Sequence, residues 1–229
     1  MQAIIDTISH TPLFEGLPEG QIREIADLVV ERRFDKGEAV FFEGDEGEGF
    51  YVVAQGMVKI FKVSVEGKEQ ILHIFGPGEP FGEVPVFSGQ QFPASAEAIA
   101  ESRLFFIPRD RFVELITRNP SLALNMLAVL SARLRQFTVQ VENLSLKEVP
   151  ARLAAYLIYL SQEQKREDRV TLPISKGQLA SLLGTIPETL SRIFAKMNGQ
   201  DLIEVKERDI LLLDRSGLEE LAEHGRRME

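Results

Sequence analysis

The chain of 229 residues has no cysteine. That excludes disulfides, thiolate metal sites, a cysteine nucleophile and Cys-ligated iron-sulfur clusters, and it suits a reducing compartment. No run of 18 consecutive apolar residues occurs, so no stretch reads as a membrane span and no membrane partner is expected. Residues Met1 to Phe14 lack a basic start, an apolar core and a small-residue cleavage site, so a cytoplasmic location is the expectation. Positive charge is scarce: 26 Lys and Arg against 35 Asp and Glu leave a net charge of -9. Such a surface does not coat nucleic acid or an anionic membrane as a whole, although a local basic face can still bind DNA. The three histidines and the carboxylates form no pattern of nucleophile, base and orienting group, so the chain is not expected to be an enzyme.

What the chain does have is a long uninterrupted helical stretch from Leu122 to Leu144. Ala123, Leu127, Leu130, Leu134, Phe137, Val141 and Leu144 alternate in steps of four and three, drawing one narrow apolar seam along about 34 Å of helix. A stripe of this kind also forms when a helix packs on its own core. The narrowness of the seam, its persistence over three heptads and its flanks of Arg133, Arg135, Gln136, Gln140 and Glu142, which prefer water, favour a second copy as partner. A second stripe, Leu122, Met126 and Val129, covers only the first half, which is therefore expected to touch its own N-terminal domain as well.

Before the seam, residues 13–31 carry Leu17, Ile22, Ile25, Ala26 and Val29 at helical spacing after Pro18. From Arg32 to Pro108 the period shortens. Ala39 to Phe42, Phe50 to Ala54, Val58 to Val65, Gln70 to Phe75 and Arg103 to Ile107 are short β-branched and aromatic runs between frequent glycines. That pattern predicts an antiparallel barrel or double-sheet roll. Pro108 starts a helix that Asn119-Pro120 breaks.

After the seam, Leu144 to Val149 forms a short joint and Pro150 opens another helix. Ser175 with Gln178, and Thr185 with Glu188, are capping-box patterns separated by Gly184, which predicts a helix-turn-helix. Leu202 to Val205 and Ile210 to Leu213 flank Lys206-Glu207-Arg208-Asp209 as a hairpin wing. On the second helix, Leu190, Ile193, Phe194 and Met197 fall on one face, leaving Glu188, Thr189, Ser191, Arg192 and Lys196 on the other. Glu188 and Arg192 lie one turn apart, so a carboxylate could accept from cytosine N4 while the guanidinium grips guanine O6 and N7. The alternative is an ordinary surface ion pair, with Glu188 only capping its helix. Lys176, Lys196, Lys206 and Arg208 would supply phosphate contacts.

These residues carry a resemblance. GPGEPFGEVPVF (Gly76 to Phe87), the seam helix, and SKGQLASLLGTIPETLSRIFAKM (Ser175 to Met197) are similar to the CRP/FNR family of bacterial transcription regulators. The resemblance implies an α+β fold. Its parts are an N-terminal antiparallel β-roll (jelly-roll) sensor over 1–118, a dimerisation helix over 119–146 and a C-terminal winged helix-turn-helix over 147–229. It also implies a homodimer that binds double-stranded DNA as an inverted repeat of TGA-type half-sites, with Glu188, Ser191 and Arg192 on the bases and RNA polymerase as a further partner. Where CRP-type proteins carry an extra arginine, this chain has Pro187. Gly82 and Glu83 match the phosphate-binding cassette, yet the arginine that would neutralise a cyclic phosphate aligns with Phe92 or Pro93, and no Arg or Lys occurs from Val84 to Ser102. A buried phosphate without a cation is costly, so cyclic AMP is not the expected effector.

What then remains is an apolar pocket between roll and seam helix, assigned to Phe75, Gly82, Glu83 and Met126. The segments ILHIFGPGEPFGEVPVF and LSLKEVPARLAAYL resemble the hybrid-cluster-protein regulator branch and, less closely, the dissimilatory nitrate-respiration regulator branch. Both imply haem and nitric oxide. Axial candidates are Met57 and His73, expected on roll strands, Met126 on the seam helix and, behind them, His10. The methionines equally suit core filling, and a strand histidine is commonly a satisfied or exposed one. The other class of function open to this sequence is a small-ligand-binding module acting through a protein partner rather than DNA.

Overall fold

A computed structural model describes residues 1–224, the side chain of His224 excepted, so the last five residues of the expected 147–229 domain lie outside it. The backbone divides into two compact units, Met1–Arg135 and a second that begins at Gln136.

The first unit opens with α1 (Gln2–Ser9), a single 3-10 turn at Pro12–Phe14, and α2 (Glu19–Leu28). Eight strands follow: β1 (Val30–Phe34), β2 (Ala39–Phe41), β3 (Gly49–Gln55), β4 (Val58–Val63), β5 (Glu69–Phe75), β6 (Pro80–Phe81), β7 (Ser95–Ala98) and β8 (Ser102–Pro108). Helix α3 (Val84–Ser88) lies between β6 and β7, and α4 (Arg109–Arg118) leads into α5 (Pro120–Leu146). The strands form two antiparallel sheets, ordered β1-β8-β3-β6 and β2-β7-β4-β5.

Strand β3 explains why the run Phe50 to Val53 is apolar at every position. Tyr51 and Val53 face the interior of the roll, joined by Phe41, Val58, Phe75, Phe81, Phe92, Leu104 and Phe106. Phe50 and Val52 face outward into a second core with Phe105, Ile107, Ile8, Ile22, Ile25, Phe112, Leu122 and Met126. A strand buried on both faces needs no polar alternation.

One expectation for this unit needs correction, and several elements were not expected. The helix expected within residues 13–31 to open the fold is α2, preceded by α1, and it stops at Leu28, because Val30 and Glu31 already belong to β1, an edge strand whose charged VERRF sequence hides its state. Strand β7, sequence SAEA, lacks β-branched and aromatic residues, yet it sits between β2 and β4, where only small side chains fit: Ala96 and Ala98 are fully buried. Helices α1 and α3 were not expected: α1 has no side-chain cap, and α3, although Pro85 stands in its first turn, is only five residues long.

In the second unit, α6 (Val149–Glu163) is followed by β9 (Arg169–Thr171), α7 (Lys176–Leu182), α8 (Pro187–Gly199), β10 (Ile203–Lys206), β11 (Asp209–Leu212) and α9 (Arg215–His224). The sheet runs β10-β11-β9. Arg152 of α6 donates from Nε to the Lys147 carbonyl and from Nη1 to the Leu183 carbonyl, tying the joint after α5 to the end of α7. Removal from water lowers the pKa of this guanidinium from its usual value.

At the tip of the wing Glu207 takes a φ of 56°, a left-handed conformation that a side chain tolerates poorly. Glu207→Gly is therefore expected to stabilise the protein by about 0.5 to 1 kcal/mol in urea unfolding. An unchanged or lower midpoint would show that the turn stores no strain.

Candidate nucleic-acid interface and sensor site

The helix-turn-helix is built from local signals. Ser175 caps α7: its Oγ accepts from Gln178 N at 3.2 Å, while Gln178 Oε1 accepts from Ser175 N at 2.9 Å. The second expected box does not form. Pro187 takes the first position of α8, which its fixed φ and missing N–H suit, and it holds the preceding Ile186 extended at φ -111° and ψ 154°. The cap is thus Ile186, one residue beyond Thr185, and no side chain caps the helix. Gly184, at φ 68°, makes the turn between α7 and α8.

Helix α8 separates its faces as the period requires. Leu190, Ile193, Phe194 and Met197 are buried, while Glu188, Ser191, Arg192 and Lys196 are exposed and Thr189 is half-buried. Arg192 Nη2 donates to Thr189 Oγ1 at 3.2 Å. Among the described residues no ion pair joins Arg192 to Glu188, so the alternative of a simple surface pair is not the arrangement adopted. The carboxylate and guanidinium are both presented outward on adjacent turns. Around them, Lys176 Nζ lies 5.4 Å from the centre of the Phe194 ring, which supports its stem beside α8. Lys206 pairs with Glu204 at 3.1 Å on the wing, and Arg208 is exposed at its tip.

The sensor residues are placed differently from expectation. Gly82 has a φ of 74°, and a Cβ there would crowd the rings of Phe41 and Phe92 at 3.3 and 3.4 Å. Glycine is thus needed both for the turn and for the close approach. Phe92, standing where the phosphate cation was sought, stacks on Phe41 with centroids 3.7 Å apart and planes 8° from parallel. Glu83 is buried and pairs through Oε1 with Arg133 Nη1 of α5. Arg133 also donates to the Pro80 carbonyl and lies 5.1 Å from the centre of the Phe75 ring.

Arg133, expected on a water-facing flank, is therefore a partner of the cassette; its side chain is only 19% exposed. The sequence carried a signal for this: a buried carboxylate at Glu83 demands a cation, and none lies nearby in the chain. Beside this pair, Glu79 accepts from Gly76 N at 2.7 Å and approaches His73 Nε2 at 4.0 Å. Burial alone would raise the Glu79 pKa, but His73, the Gly76 N–H and Arg133 outweigh it and hold the carboxyl below its usual value.

Phe75, Gly82 and Glu83 are thus brought together, and Met126 is not with them. It lies seven residues, about 10 Å of helix, before Arg133 and is sealed at 2% exposure in the core on the other side of the sheet. Met57 is in the turn joining β3 and β4 rather than on a strand. His73 pairs across the ladder with Ile60, three residues or about 10 Å further on. His10 is exposed and held by its own helix. Haem needs an axial donor facing an apolar cavity wide enough for the ring; Met126 is packed in a closed core, His73 lies half-exposed beside Glu79, Met57 sits in a turn and His10 is exposed, and the roll interior is filled by its own rings. The residues do not fit a haem.

A β-roll with a cassette turn, a long helix and a winged helix-turn-helix defines a sensor-coupled DNA-binding regulator, and comparison with known proteins gives the same class. Residues 31–119 match the cyclic nucleotide-binding domain and residues 151–221 the Crp-like helix-turn-helix domain. The cyclic AMP receptor protein of Thermus thermophilus is 31% identical over 212 residues, covering 93% of this chain and 97% of that one. The transcriptional activator FnrA of Stutzerimonas stutzeri is 29% identical over 86% of this chain and 82% of its own. Among solved structures, FixK2 from Bradyrhizobium japonicum superposes with a TM-score of 0.75 at 25% identity, over 84% of this chain and 96% of that one. The chain belongs to the CRP/FNR family of DNA-binding transcription regulators. No helix among the described residues is long and apolar enough to cross a membrane.

Proposed function

We propose that the protein acts as a homodimer through the α5 seam and reads an inverted repeat with one α8 in each of two successive major grooves. The carrying observation is the outward presentation of Glu188 and Arg192 on one face of α8 without an ion pair between them. Glutamate on cytosine N4 and arginine on the paired guanine would fix the G·C step of a TGA-type half-site. Lys176, Lys196, Lys206 and Arg208 are exposed on the same unit and would contact phosphates. Selection from randomised duplexes tests the reading. It should recover two such half-sites with centres about 34 to 36 Å apart, and recovery of no motif would refute it.

The effector site in this proposal is the cassette itself, Phe75, Gly82 and Glu83, with Arg133 reaching into it from α5. A ligand that competes for Glu83 or Arg133 would release or tighten α5 at that point, shifting the population of the DNA-binding conformation. Cyclic AMP is a poor candidate. Phe92, one of the two residues aligned with the phosphate arginine, is an uncharged ring stacked on Phe41, and Arg133 is already paired with Glu83. Titration with cyclic AMP is expected to give no saturable heat at micromolar nucleotide and no gain in operator affinity. Tight stoichiometric binding would overturn this.

A further inference from the structure

The tip of the reading helix breaks a local rule. Ser, Thr, Asp and Asn are the preferred helix caps, because a side-chain oxygen satisfies the first free N–H groups; a branched apolar cap does not. At α8 the cap is Ile186, its side chain accepts nothing, and it is 49% exposed. Within the helix-turn-helix the two starts differ: α7 carries a complete Ser175 and Gln178 box, whereas α8, like α1, α2, α4 and α6, has no side-chain cap, and among these caps Ile186 is the one exposed β-branched residue. Ile186 is also held rather than loose. The ring of Pro187 restricts it to extended backbone, and its carbonyl accepts the Leu190 N–H at 3.0 Å. The result is a fixed apolar knob at the end of the helix whose neighbouring turn presents Glu188 and Arg192.

An apolar side chain gains nothing from phosphates or from the polar base edges. The major groove offers one apolar group, the C5-methyl of thymine. We infer that Ile186 is a specificity-determining residue that packs on a thymine methyl in each half-site. This rests on the proposed reading of DNA by α8 and adds to it a contact that needs no hydrogen bond. It also accounts for the apolar cap, since serine there would favour the helix and lose the methyl contact.

The test is to replace each thymine of the selected operator in turn by uracil, which removes only the methyl group. For wild type, one replacement per half-site should weaken binding about three- to five-fold, the effect of exposing roughly one methylene-sized apolar group. Ile186→Ser should bind the thymine operator weaker by a similar factor, be indifferent to that same replacement, and melt at an unchanged or higher temperature. A uracil scan that is flat at every thymine, while Arg192→Ala still relaxes the guanine preference, would overturn the Ile186 inference and leave the reading helix in place. A replacement penalty that persists undiminished in Ile186→Ser would overturn it equally. Loss of all sequence preference in wild type would instead overturn the DNA reading, and the inference with it.

Discussion

Leu134→Glu is expected to leave a folded protein that sediments as a monomer at micromolar concentration and no longer holds its operator. Helix α5 exposes Leu127, Leu134, Phe137 and Val141 by 59%, 69%, 46% and 63%, a row of large apolar side chains at seam spacing. On the same helix Leu122 and Met126 are sealed in the core. The proposed homodimer covers the exposed row with its symmetry mate. A glutamate at Leu134 would then sit against its own copy, two carboxylates in an apolar seam, which is expected to cost about 3 to 5 kcal/mol, or roughly a hundred- to several-thousand-fold in dissociation constant. In the separated chain the same carboxylate is largely solvated, so thermal stability of the monomer should change little. A Leu134→Glu protein that remains dimeric and binds operator normally would remove α5 as the dimer seam.

The two faces of α5 show how far the sequence could be read. Stripes at steps of three and four separated Leu122 and Met126 from the seam correctly, because periodicity reports which residues share a face. It does not report reach. Arg133 belongs by position to a flank, but its long side chain lies across the Phe75 ring to Glu83, fifty residues earlier, and only the fold brings them together. The same distinction explains Met126. The sequence put it on the correct side of the helix and in the wrong site, since the sheet has two apolar faces and the pattern could not say which one the helix covers. Strands with strong β-formers were legible; VERRF and SAEA were not, because the first is a charged edge and the second is selected for smallness between neighbours. On α8 the buried and exposed faces were legible, Thr189 excepted, which is half-buried. The helix start at Pro187 was legible as well, while the capping box that Thr185 and Glu188 imitate does not form, because Pro187 in the first position makes Ile186 the cap.

Arg192→Ala is expected to weaken operator binding by about 1 to 3 kcal/mol per half-site and to relax the guanine preference at one base pair, leaving the rest of the motif intact. The geometry makes the prediction specific. Arg192 is exposed, steadied by Thr189 Oγ1 at 3.2 Å, and one turn from Glu188, whose carboxylate would accept from the cytosine paired to that guanine. Losing the arginine leaves the glutamate to read the pair through cytosine alone, so the guanine preference is weakened rather than abolished or inverted. Lys206→Ala provides the contrast. Its ammonium lies 3.1 Å from Glu204 on the wing and not on α8; as the proposed phosphate contact, its loss should weaken all duplexes alike and reduce the dependence on salt by about one ion. Selections on randomised duplexes with the three proteins separate these effects. If wild type and Arg192→Ala recover one motif with the same guanine preference, Arg192 reads no base, and the face of α8 that touches DNA is a different one.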